Sequence, residues 1–297
     1  MKIFDCFMYF NEDLILEIRL NELYNRVDKF IIVESNYTHS GDHKEYNFDI
    51  KKFEKFKDKI IYIKIKDKPN EYMKIDDNLT LGEKKGKQIL NALSLDIFQR
   101  NQIIKGLEEA NDNDFILVSD LDEIPNLDNI NLSKYKSKII IFKQAFFHYR
   151  FNLYLKNFDW HGTKCCTKKL FKSPQWLRNI KKKKYNFFRI DTLFSEKKYQ
   201  NIHIVENGGW HFSNIGDEES IVYKLKHYAH HADTPDNILN EDMFKNLIKE
   251  RKFMYDHSVD KGGDKHSSGK DLSIYDFELL PNYIKNNKDL FNNWIVE

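Results

Sequence analysis

The amino-acid sequence predicts an α/β protein with a mostly parallel sheet that is flanked by helices. Near-continuous apolar runs at 29–34, 60–65 and 114–119 are typical of strands that are covered on both faces. Segments with the length and pattern of helices lie at 13–25 and 81–110. With a further strand at the start of the chain, the order is strand, helix, strand, strand, helix, strand, which is typical of an α/β fold.

Each predicted element follows from its local pattern. A buried strand at 2–9 opens the chain, and Asn11 or Asp13 is the expected N-cap of a helix that ends near residue 25. The strands at 29–34 and 60–65 come next, and a long helix from 81 to about 110 leads into the strand at 114–119. The later elements are one or two strands within 138–149, an aromatic and basic segment at 158–190, a short strand at 202–205, a helix at 220–232, a polar loop at 260–270 and a closing helix at 283–294.

The composition limits the classes to which the chain can belong. Its 297 residues are 41% hydrophobic and include 23 Phe and 16 Tyr, which excludes wholesale disorder. Lys and Arg total 48 against 46 Asp and Glu, so no nucleic-acid partner is expected. Three cysteines without zinc-ligand spacing fit buried thiols in a reducing compartment. The length predicts one domain over 1–297. No signal peptide or membrane span is visible, so we expect a cytoplasmic location, and the oligomeric state stays open.

The most informative motif is a pair of aspartates after the buried strand at 114–119. Asp120 and Asp122 are two residues apart, Glu123 follows, and Pro125 closes the segment. Ligands of open parallel sheets bind at the carboxyl ends of strands. Mg²⁺ and Mn²⁺ prefer carboxylate oxygens together with a substrate phosphate. The pattern therefore predicts a site for a divalent metal or a nucleotide, with a solvated polar turn as the alternative.

Two further segments are candidates for ligand binding. The glycines at 208–209 would let the backbone approach a ligand closely, Trp210 offers a flat apolar face, and His211 is a potential metal ligand or hydrogen-bond donor. Glu34 and Ser35 lie where the 29–34 strand ends. In a nucleotide-binding α/β fold, an acid at such a position accepts hydrogen bonds from the ribose or the base. A capped turn is the alternative for this second segment.

Three blocks of the sequence occur together in one known family. The residues concerned are Asn11, Glu12, Asp13, Leu14, Arg19, Glu22, Leu23, Val27, Asp28 and 33–38 in the opening block, 120–125 in the acidic block, and 209–213 with Glu219, Ile221, Lys224 and Leu225 in the late block. With these blocks the sequence resembles glycosyltransferase family seventeen, the β-1,4-mannosyl-glycoprotein N-acetylglucosaminyltransferases that add the bisecting residue to N-glycans. The blocks span most of the chain in the right order, and together they are far more specific than any one of them.

The resemblance implies a GT-A-like fold, an inverting mechanism, a UDP-sugar donor such as UDP-GlcNAc, and Mn²⁺ or Mg²⁺ as cofactor. It implies that residues 1–130 bind the nucleotide sugar and that residues 131–297 bind a glycan or glycoconjugate acceptor. The acceptor itself is left open, because the animal enzymes have an amino-terminal membrane anchor and this sequence starts directly at its first strand.

The implied site assigns a role to each candidate residue. Asp122 holds the metal, helped by Asp120 and His211. An inverting transfer requires a general base near the acceptor hydroxyl. The candidate bases are Glu219, Glu123 and Asp217, and the candidate donor-binding residues are Glu34, Ser35, Arg100, Asp120 and Lys224, with a helix-surface charge as the alternative for Arg100 and Lys224. The candidate acceptor platforms are Trp210, Trp160 and Trp176, and core packing is expected for at least one of Trp160 and Trp176.

Two other classes of function compete with a transferase. A metal-dependent phosphohydrolase would use the same acids on a similar sheet, but it requires more metal ligands or an aspartyl nucleophile motif than the sequence contains. A sugar-binding protein without catalytic activity would retain the fold, but the intact acidic motif and Trp210-His211 argue against it.

Overall fold

A mixed sheet with helices packed against it organises the molecule. The computed structural model describes residues 1–182, 195, 200–227, 240–254 and 270–297. Within these ranges the strands are β1 (Ile3–Met8), β2 (Lys29–Ser35), β3 (Ile60–Ile65), β4 (Phe115–Val118), β5 (Glu123–Pro125), β6 (Ile139–His148), β7 (Leu153–Thr167), β8 (Ile202–Val205), β9 (Gly209–Ser213) and β10 (Ser273–Ile274). The α-helices are α1 (Asp13–Leu23), α2 (Leu81–Asn101), α3 (Pro174–Asn179), α4 (Glu218–His227), α5 (Glu241–Glu250) and α6 (Asn282–Asn286).

The strand order of the sheet is β3-β2-β1-β4-β7-β6-β9-β5, with β8 paired to β6 and β10 paired to β7. Among the described strands, five pairs are parallel and four are antiparallel. The α/β class is confirmed, but the sheet is mixed and is not clearly the mostly parallel sheet that the sequence predicts. A short connection joins β6 to β7, so these long strands form an antiparallel pair. Because β7 also pairs with β4, the parallel half of the sheet ends there.

The apolar runs of the first half form strands as predicted. The residues of β4 are all buried, as are six of the seven in β2, because core residues cover both faces of these strands. Strand β7 was not predicted, because its middle carries exposed polar residues such as Lys156 and Asn157. The sequence therefore lacks the continuous apolar run that marks β2 and β4.

The helices follow the predictions with shifted ends. The N-cap position of the first helix is Glu12, so the prediction of Asn11 or Asp13 as the cap is wrong. The Glu12 side chain does not cap the helix, because its carboxylate accepts hydrogen bonds from the preceding amides of Phe10 and Asn11. Helix α2 begins with a capping box between Thr80 and Glu83, and after Asn101 it continues as a 3₁₀ turn to residue 106. The predicted closing helix is α6 followed by the 3₁₀ helix Lys288–Trp294.

Some predicted segments fall outside the described residues. These are residues 228–232 of the predicted 220–232 helix, residues 260–269 of the polar loop, and residues 183–190 of the basic segment. Among the described helices, none has the length and the apolar character that a membrane span requires.

The sheet topology places the carboxyl ends of three parallel strands beside the segment that contains Asp120 and Asp122. Strands β1, β2 and β4 run parallel, so their carboxyl ends lie along the same edge. The chain leaves β4 at Val118, passes through residues 119–122, and enters β5, which pairs antiparallel with β9. The segment 119–123 is called the acidic turn below. It lies beside the late block because Glu123 is paired with His211.

Candidate active site

Arg19 holds the acidic turn from behind. Its side chain is fully buried, and it forms a bidentate ion pair with Asp5 of β1, at 2.6 and 2.8 Å. A further bond of 2.6 Å reaches Ser119 Oγ. The same guanidinium donates to three carbonyl oxygens of the turn, those of Asp120 (3.1 Å), Leu121 (2.9 Å) and Glu123 (2.9 Å). The path of the turn is thus fixed by one side chain of α1.

Two guanidinium groups donate hydrogen bonds to the Asp120 carboxylate. Arg178 Nη2 donates to Oδ2 at 2.7 Å, and Arg100 Nη2 donates to Oδ1 at 3.2 Å. Burial opposes ionisation of this carboxyl, but the charges of Arg178 and then Arg100 outweigh burial and lower its pKa below the usual value. Asp120 is therefore an anion that protein cations already neutralise.

Asp122 has weaker and longer contacts than Asp120. Its Oδ2 lies 3.3 Å from Lys224 Nζ of α4, and its Oδ1 lies 3.5 Å from His211 Nε2 of β9. Burial opposes ionisation, but the charge of Lys224 and then that of His211 hold the pKa of Asp122 well below its usual range. The Lys224 ammonium also lies 3.1 Å from Glu12, and these two carboxylates raise its pKa against the effect of burial.

The Glu123 carboxylate is fully buried and accepts four hydrogen bonds. Arg178 donates two of them at 2.9 Å, the Asp120 amide donates one at 3.0 Å, and Trp160 Nε1 donates one at 2.6 Å. Four bonds occupy the acceptor capacity of a carboxylate. Glu123 therefore links the turn to Trp160 and Arg178, and it has no oxygen directed at a substrate.

A divalent metal would be held by two protein ligands here. Asp122 and His211 offer a carboxylate oxygen and an imidazole nitrogen 3.5 Å apart, which is the donor chemistry that Mn²⁺ accepts. Each oxygen of Asp120 already accepts a bond from a guanidinium group, so a metal that also bound Asp120 would share that carboxylate with Arg178 and Arg100. Among the described residues, no group of three or more His, Cys, Asp or Glu side chains is arranged around a metal position. The residues fit an ion that completes its coordination with water and substrate phosphate.

Comparison with known families decides the family of the chain. The family model for glycosyltransferase family 17 matches residues 1–257. The chain belongs to glycosyltransferase family 17. A search of curated proteins gives no match. Family 17 membership confirms the resemblance found in the sequence, and it makes the chain a glycosyltransferase with a sugar donor and an acceptor.

In this family 17 chain the glycines at 208–209 support backbone packing. Gly209 has φ +128°, and a Cβ placed on it would lie 2.1 Å from the Ile124 carbonyl oxygen of the paired strand. A Cβ on Gly208 would meet backbone atoms of Val205 and Lys143 within 3.0 Å. Close packing against β5, β6 and β8 therefore accounts for both glycines without a ligand, and these contacts do not support the expectation that they bring the backbone close to one.

The three tryptophan candidates have different environments. Trp210 is 6% exposed, packs in the main core, and donates from Nε1 to the Leu279 carbonyl at 2.9 Å. Trp176 is also 6% exposed and lies in the second core cluster. Neither presents a face to an acceptor. The expectation of core packing for at least one of Trp160 and Trp176 is met by Trp176, and the role of Trp210 as an acceptor platform is not supported. Trp160 is half-buried, with its ring centroid 4.7 Å from that of His211, and it lies beside the site.

The predicted nucleotide ligands on β2 have protein partners. Glu34 is fully buried, and its oxygens accept from Lys44 Nζ, Tyr62 Oη and two backbone amides. Ser35 Oγ accepts from the Tyr37 amide at 3.0 Å. The capped-turn alternative therefore describes this segment, and the role of Glu34 and Ser35 as ribose or base ligands is not supported.

Arg100 of α2 is committed to carboxylates. It is bidentate to Asp96 at 2.6 and 2.8 Å, bonds Gln175, and reaches Asp120. Only 6% of its side chain is exposed. Arg100 therefore shapes the acidic turn, and it is not available to a diphosphate in this arrangement.

The two acids before α4 lie at the helix start. Asp217 Oδ1 accepts from the Ser220 amide at 2.8 Å, and hydrogen bonds from the Ser220 side chain and then from this amide lower the pKa of Asp217. Glu219 is exposed in the first turn of α4. It is five residues before Lys224, which corresponds to a rotation of about 140° around a helix. The helix thus directs Lys224 toward Asp122 and Glu219 toward a different side.

Sequence reasoning assigned no function to Arg178 and Lys164. Lys164 is 7% exposed in β7, and its ammonium donates to the Arg178 carbonyl. Burial, and then repulsion from Arg178, lower the pKa of Lys164 to about 7. One available signal was the scarcity of arginine, since the chain has only seven. Three of these, Arg19, Arg100 and Arg178, converge on the acidic turn.

Proposed function

We propose that the chain transfers a sugar, with inversion, from a UDP-sugar such as UDP-GlcNAc to a hydroxyl of a glycan acceptor, on a GT-A-like fold. The observation that carries this proposal is the convergence of Asp122, His211 and Lys224 at the carboxyl end of β4, in a chain of family 17. This edge of the sheet is where α/β folds bind nucleotides.

Lys224 is the proposed partner of the donor diphosphate. Its side chain is 25% exposed, whereas the guanidinium groups of Arg100 and Arg178 are bound to carboxylates. A lysine ammonium binds phosphate as a point charge, so it can exchange Asp122 for a phosphate oxygen without a fixed geometry. Glu12 would keep the ammonium in place during that exchange.

Asp122 and His211 are the proposed metal ligands, and Mn²⁺ or Mg²⁺ is the proposed cofactor. When bound, the ion would neutralise the charge that develops on the departing diphosphate. The low pKa of Asp122 keeps its carboxylate ionised at neutral pH, ready to bind a cation.

Trp160 is the proposed acceptor-binding side chain, and Glu219 is the proposed general base. The bond to Glu123 fixes the orientation of the Trp160 ring beside His211, where its flat face can stack on a sugar. Among the candidate bases, Glu123 accepts four bonds and Asp217 is bonded at the start of α4, whereas the Glu219 carboxylate is exposed. Glu219 lies about 140° around α4 from Lys224, so this role requires the acceptor hydroxyl to approach along that side of the helix. The test is UDP-sugar turnover by Glu219→Gln, with Glu241→Gln in the first turn of α5 as the matched control. Unchanged turnover in Glu219→Gln would exclude this role.

Thermal unfolding with a panel of nucleotides and nucleotide sugars tests the donor site. A ligand that binds the folded state raises the melting temperature by mass action. Each ligand is measured with Mn²⁺ and with EDTA, on the wild type, on Asp122→Asn and on Asp289→Asn, a control at an exposed acid. We expect a Mn²⁺-dependent shift with UDP-sugars that Asp122→Asn abolishes and Asp289→Asn retains.

Three other results would contradict the proposal. The absence of a shift with every nucleotide would refute the donor site. Release of phosphate or nucleoside monophosphate without an acceptor would indicate a phosphohydrolase. Sugar binding that needs neither metal nor nucleotide would indicate a binding protein.

A further inference from the structure

We propose that Arg178 is a positioning residue that fixes the Asp120 and Glu123 carboxylates, so that Asp122 is the acid of the turn that remains directed at the donor. The role of Asp122 in this statement rests on the proposed function. The positioning itself rests on the contacts of Arg178, which are independent of any ligand.

The two terminal nitrogens of Arg178 make four hydrogen bonds within the site. Nη1 donates to Glu123 Oε2 at 2.9 Å and to the Gly162 carbonyl at 3.1 Å. Nη2 donates to Asp120 Oδ2 at 2.7 Å and to Glu123 Oε1 at 2.9 Å. A single guanidinium therefore holds both flanking acids of the turn and ties them to β7. Asp122 receives no bond from it.

The bonds of Glu123 extend this arrangement to the proposed acceptor side. Trp160 Nε1 donates to the Glu123 oxygen that Arg178 Nη2 also contacts. Movement of Arg178 would therefore leave the Glu123 carboxylate, which accepts from both Trp160 Nε1 and the Asp120 amide, without its guanidinium partner, while Arg19 still holds the carbonyls of the turn. The same guanidinium supports the proposed donor acid and the proposed acceptor platform.

The backbone of Arg178 is itself anchored. It lies in α3, a six-residue helix that Ser173 caps through the Trp176 amide at 3.1 Å. The Lys164 ammonium donates to the Arg178 carbonyl, and the Asn101 side chain accepts from the Gln175 amide at 3.1 Å. These contacts dock α3 on β7 and α2, so the guanidinium is presented from a fixed backbone.

Lysine cannot replace arginine in this role. The planar guanidinium presents its donors in a fork that matches two carboxylates at once, whereas an ammonium is a compact point charge on a flexible stem. Arg178→Lys would retain the charge beside Asp120 and Glu123 and lose the simultaneous bonds. The conservative variant therefore separates positioning from charge.

The experiment measures UDP release from UDP-GlcNAc with Mn²⁺ for the wild type, Arg178→Lys and the control Arg26→Lys, whose arginine is half-exposed beside Asp128. We expect Arg178→Lys to lower kcat by about tenfold to a hundredfold, because small displacements of catalytic groups cost this much. We expect its donor KM to stay within about threefold, because Arg178 does not touch the donor. Arg26→Lys should match the wild type in both constants.

Hydrogen exchange of the peptide that contains residues 119–123 gives a readout that needs no substrate. Arg178→Lys should speed exchange there and leave β1 and β2 protected, whereas Arg26→Lys should not. If Arg178→Lys does not fold, Glu123→Gln takes its place and should lower kcat with the same unchanged KM. If both fold, their double variant should lose no more activity than the worse single variant, because both act through one set of bonds.

The outcomes separate this inference from the proposed function. A kcat within about twofold of the wild type, or a KM that rises about tenfold with kcat unchanged, would overturn the positioning role. If the wild type neither binds nor turns over any UDP-sugar, the proposed function fails, and the exchange of residues 119–123 then decides the role of Arg178 alone.

Discussion

Removing the buried partner of Asp5 should destabilise the protein strongly. Arg19→Met would leave Asp5 as an uncompensated carboxylate at 0% exposure and would remove the donor to three carbonyl oxygens of the acidic turn. Removing one member of a buried ion pair costs about 3–5 kcal/mol. That is a large share of the roughly 5–15 kcal/mol by which domains are stable. We therefore expect Arg19→Met to unfold at a much lower urea concentration.

The measurement is urea unfolding at neutral pH, with a double-mutant cycle. Asp5→Asn and Asp5→Asn/Arg19→Met complete the cycle, and the double variant should be more stable than the sum of the single losses by about 2 kcal/mol or more. Arg26→Met is the control, because its partly exposed pair with Asp128 contributes about 0–1 kcal/mol. A loss below about 1 kcal/mol in Arg19→Met, or strictly additive losses in the cycle, would refute the reasoning.

Three further predictions test the placement of individual residues. Gly209→Ala should lower the free energy of unfolding by about 1–3 kcal/mol in the urea assay, because φ at this position is +128° and the added Cβ would meet a carbonyl oxygen. The control Gly86→Ala lies in open space on α2, and it should raise the free energy of unfolding by about 0.5–1 kcal/mol. Trp210→Phe should cost about 1–3 kcal/mol by leaving the Leu279 carbonyl unpaired, and calorimetric titration with the donor should show unchanged affinity. The pKa of Lys164 is lowered from its ordinary value of 10.5 to about 7 in the folded state, so between these pH values the unfolded chain binds one proton more than the folded chain. This group therefore makes the free energy of unfolding rise with pH across that interval, by at most about 1.4 kcal/mol per pH unit. Urea denaturation at a series of pH values should show this rise in the free energy of unfolding for the wild type and for Lys156→Met, a control at an exposed lysine. Lys164→Met should show a flatter dependence on pH. If all three proteins show the same dependence, Lys164 is not its cause.

The sequence predicted those parts of the fold that have a local signature. Strands β2 and β4 are covered on both faces, so their apolar residues form a continuous run. Strand β7 has exposed residues without a regular alternation in its first half and is continuously buried only in its second half, and this pattern depends on partners far away in sequence. The mixed character of the sheet follows from β7, so it could not be predicted without that strand.

The candidate site divides in a similar way. Asp122 and His211 belong to two sequence blocks that occur together in the family, and the resemblance therefore predicts that they lie close together, as they do. The sequence could not choose between the two roles of Glu34, a ribose ligand or part of a capped turn, because the residue type is the same in both. It also could not distinguish Trp210 as a core residue from a tryptophan that stacks on a sugar. Only the contacts of the folded chain distinguish these cases. Arg178 was missed because its partners lie 55 and 58 residues away.

The contacts around the acidic turn are unequal, and this inequality has a functional consequence. The bonds to Asp120 and Glu123 measure 2.6–3.2 Å, whereas those to Asp122 measure 3.3 and 3.5 Å. A rigid turn with one weakly held acid binds an incoming cation or phosphate without first reorganising its neighbours, which is the condition for electrostatic preorganisation. Loss of Asp122 and loss of Arg178 should therefore differ in kind. The first is a loss of affinity that higher donor or metal concentration offsets in part, and the second is a loss of geometry that saturation with either cannot restore.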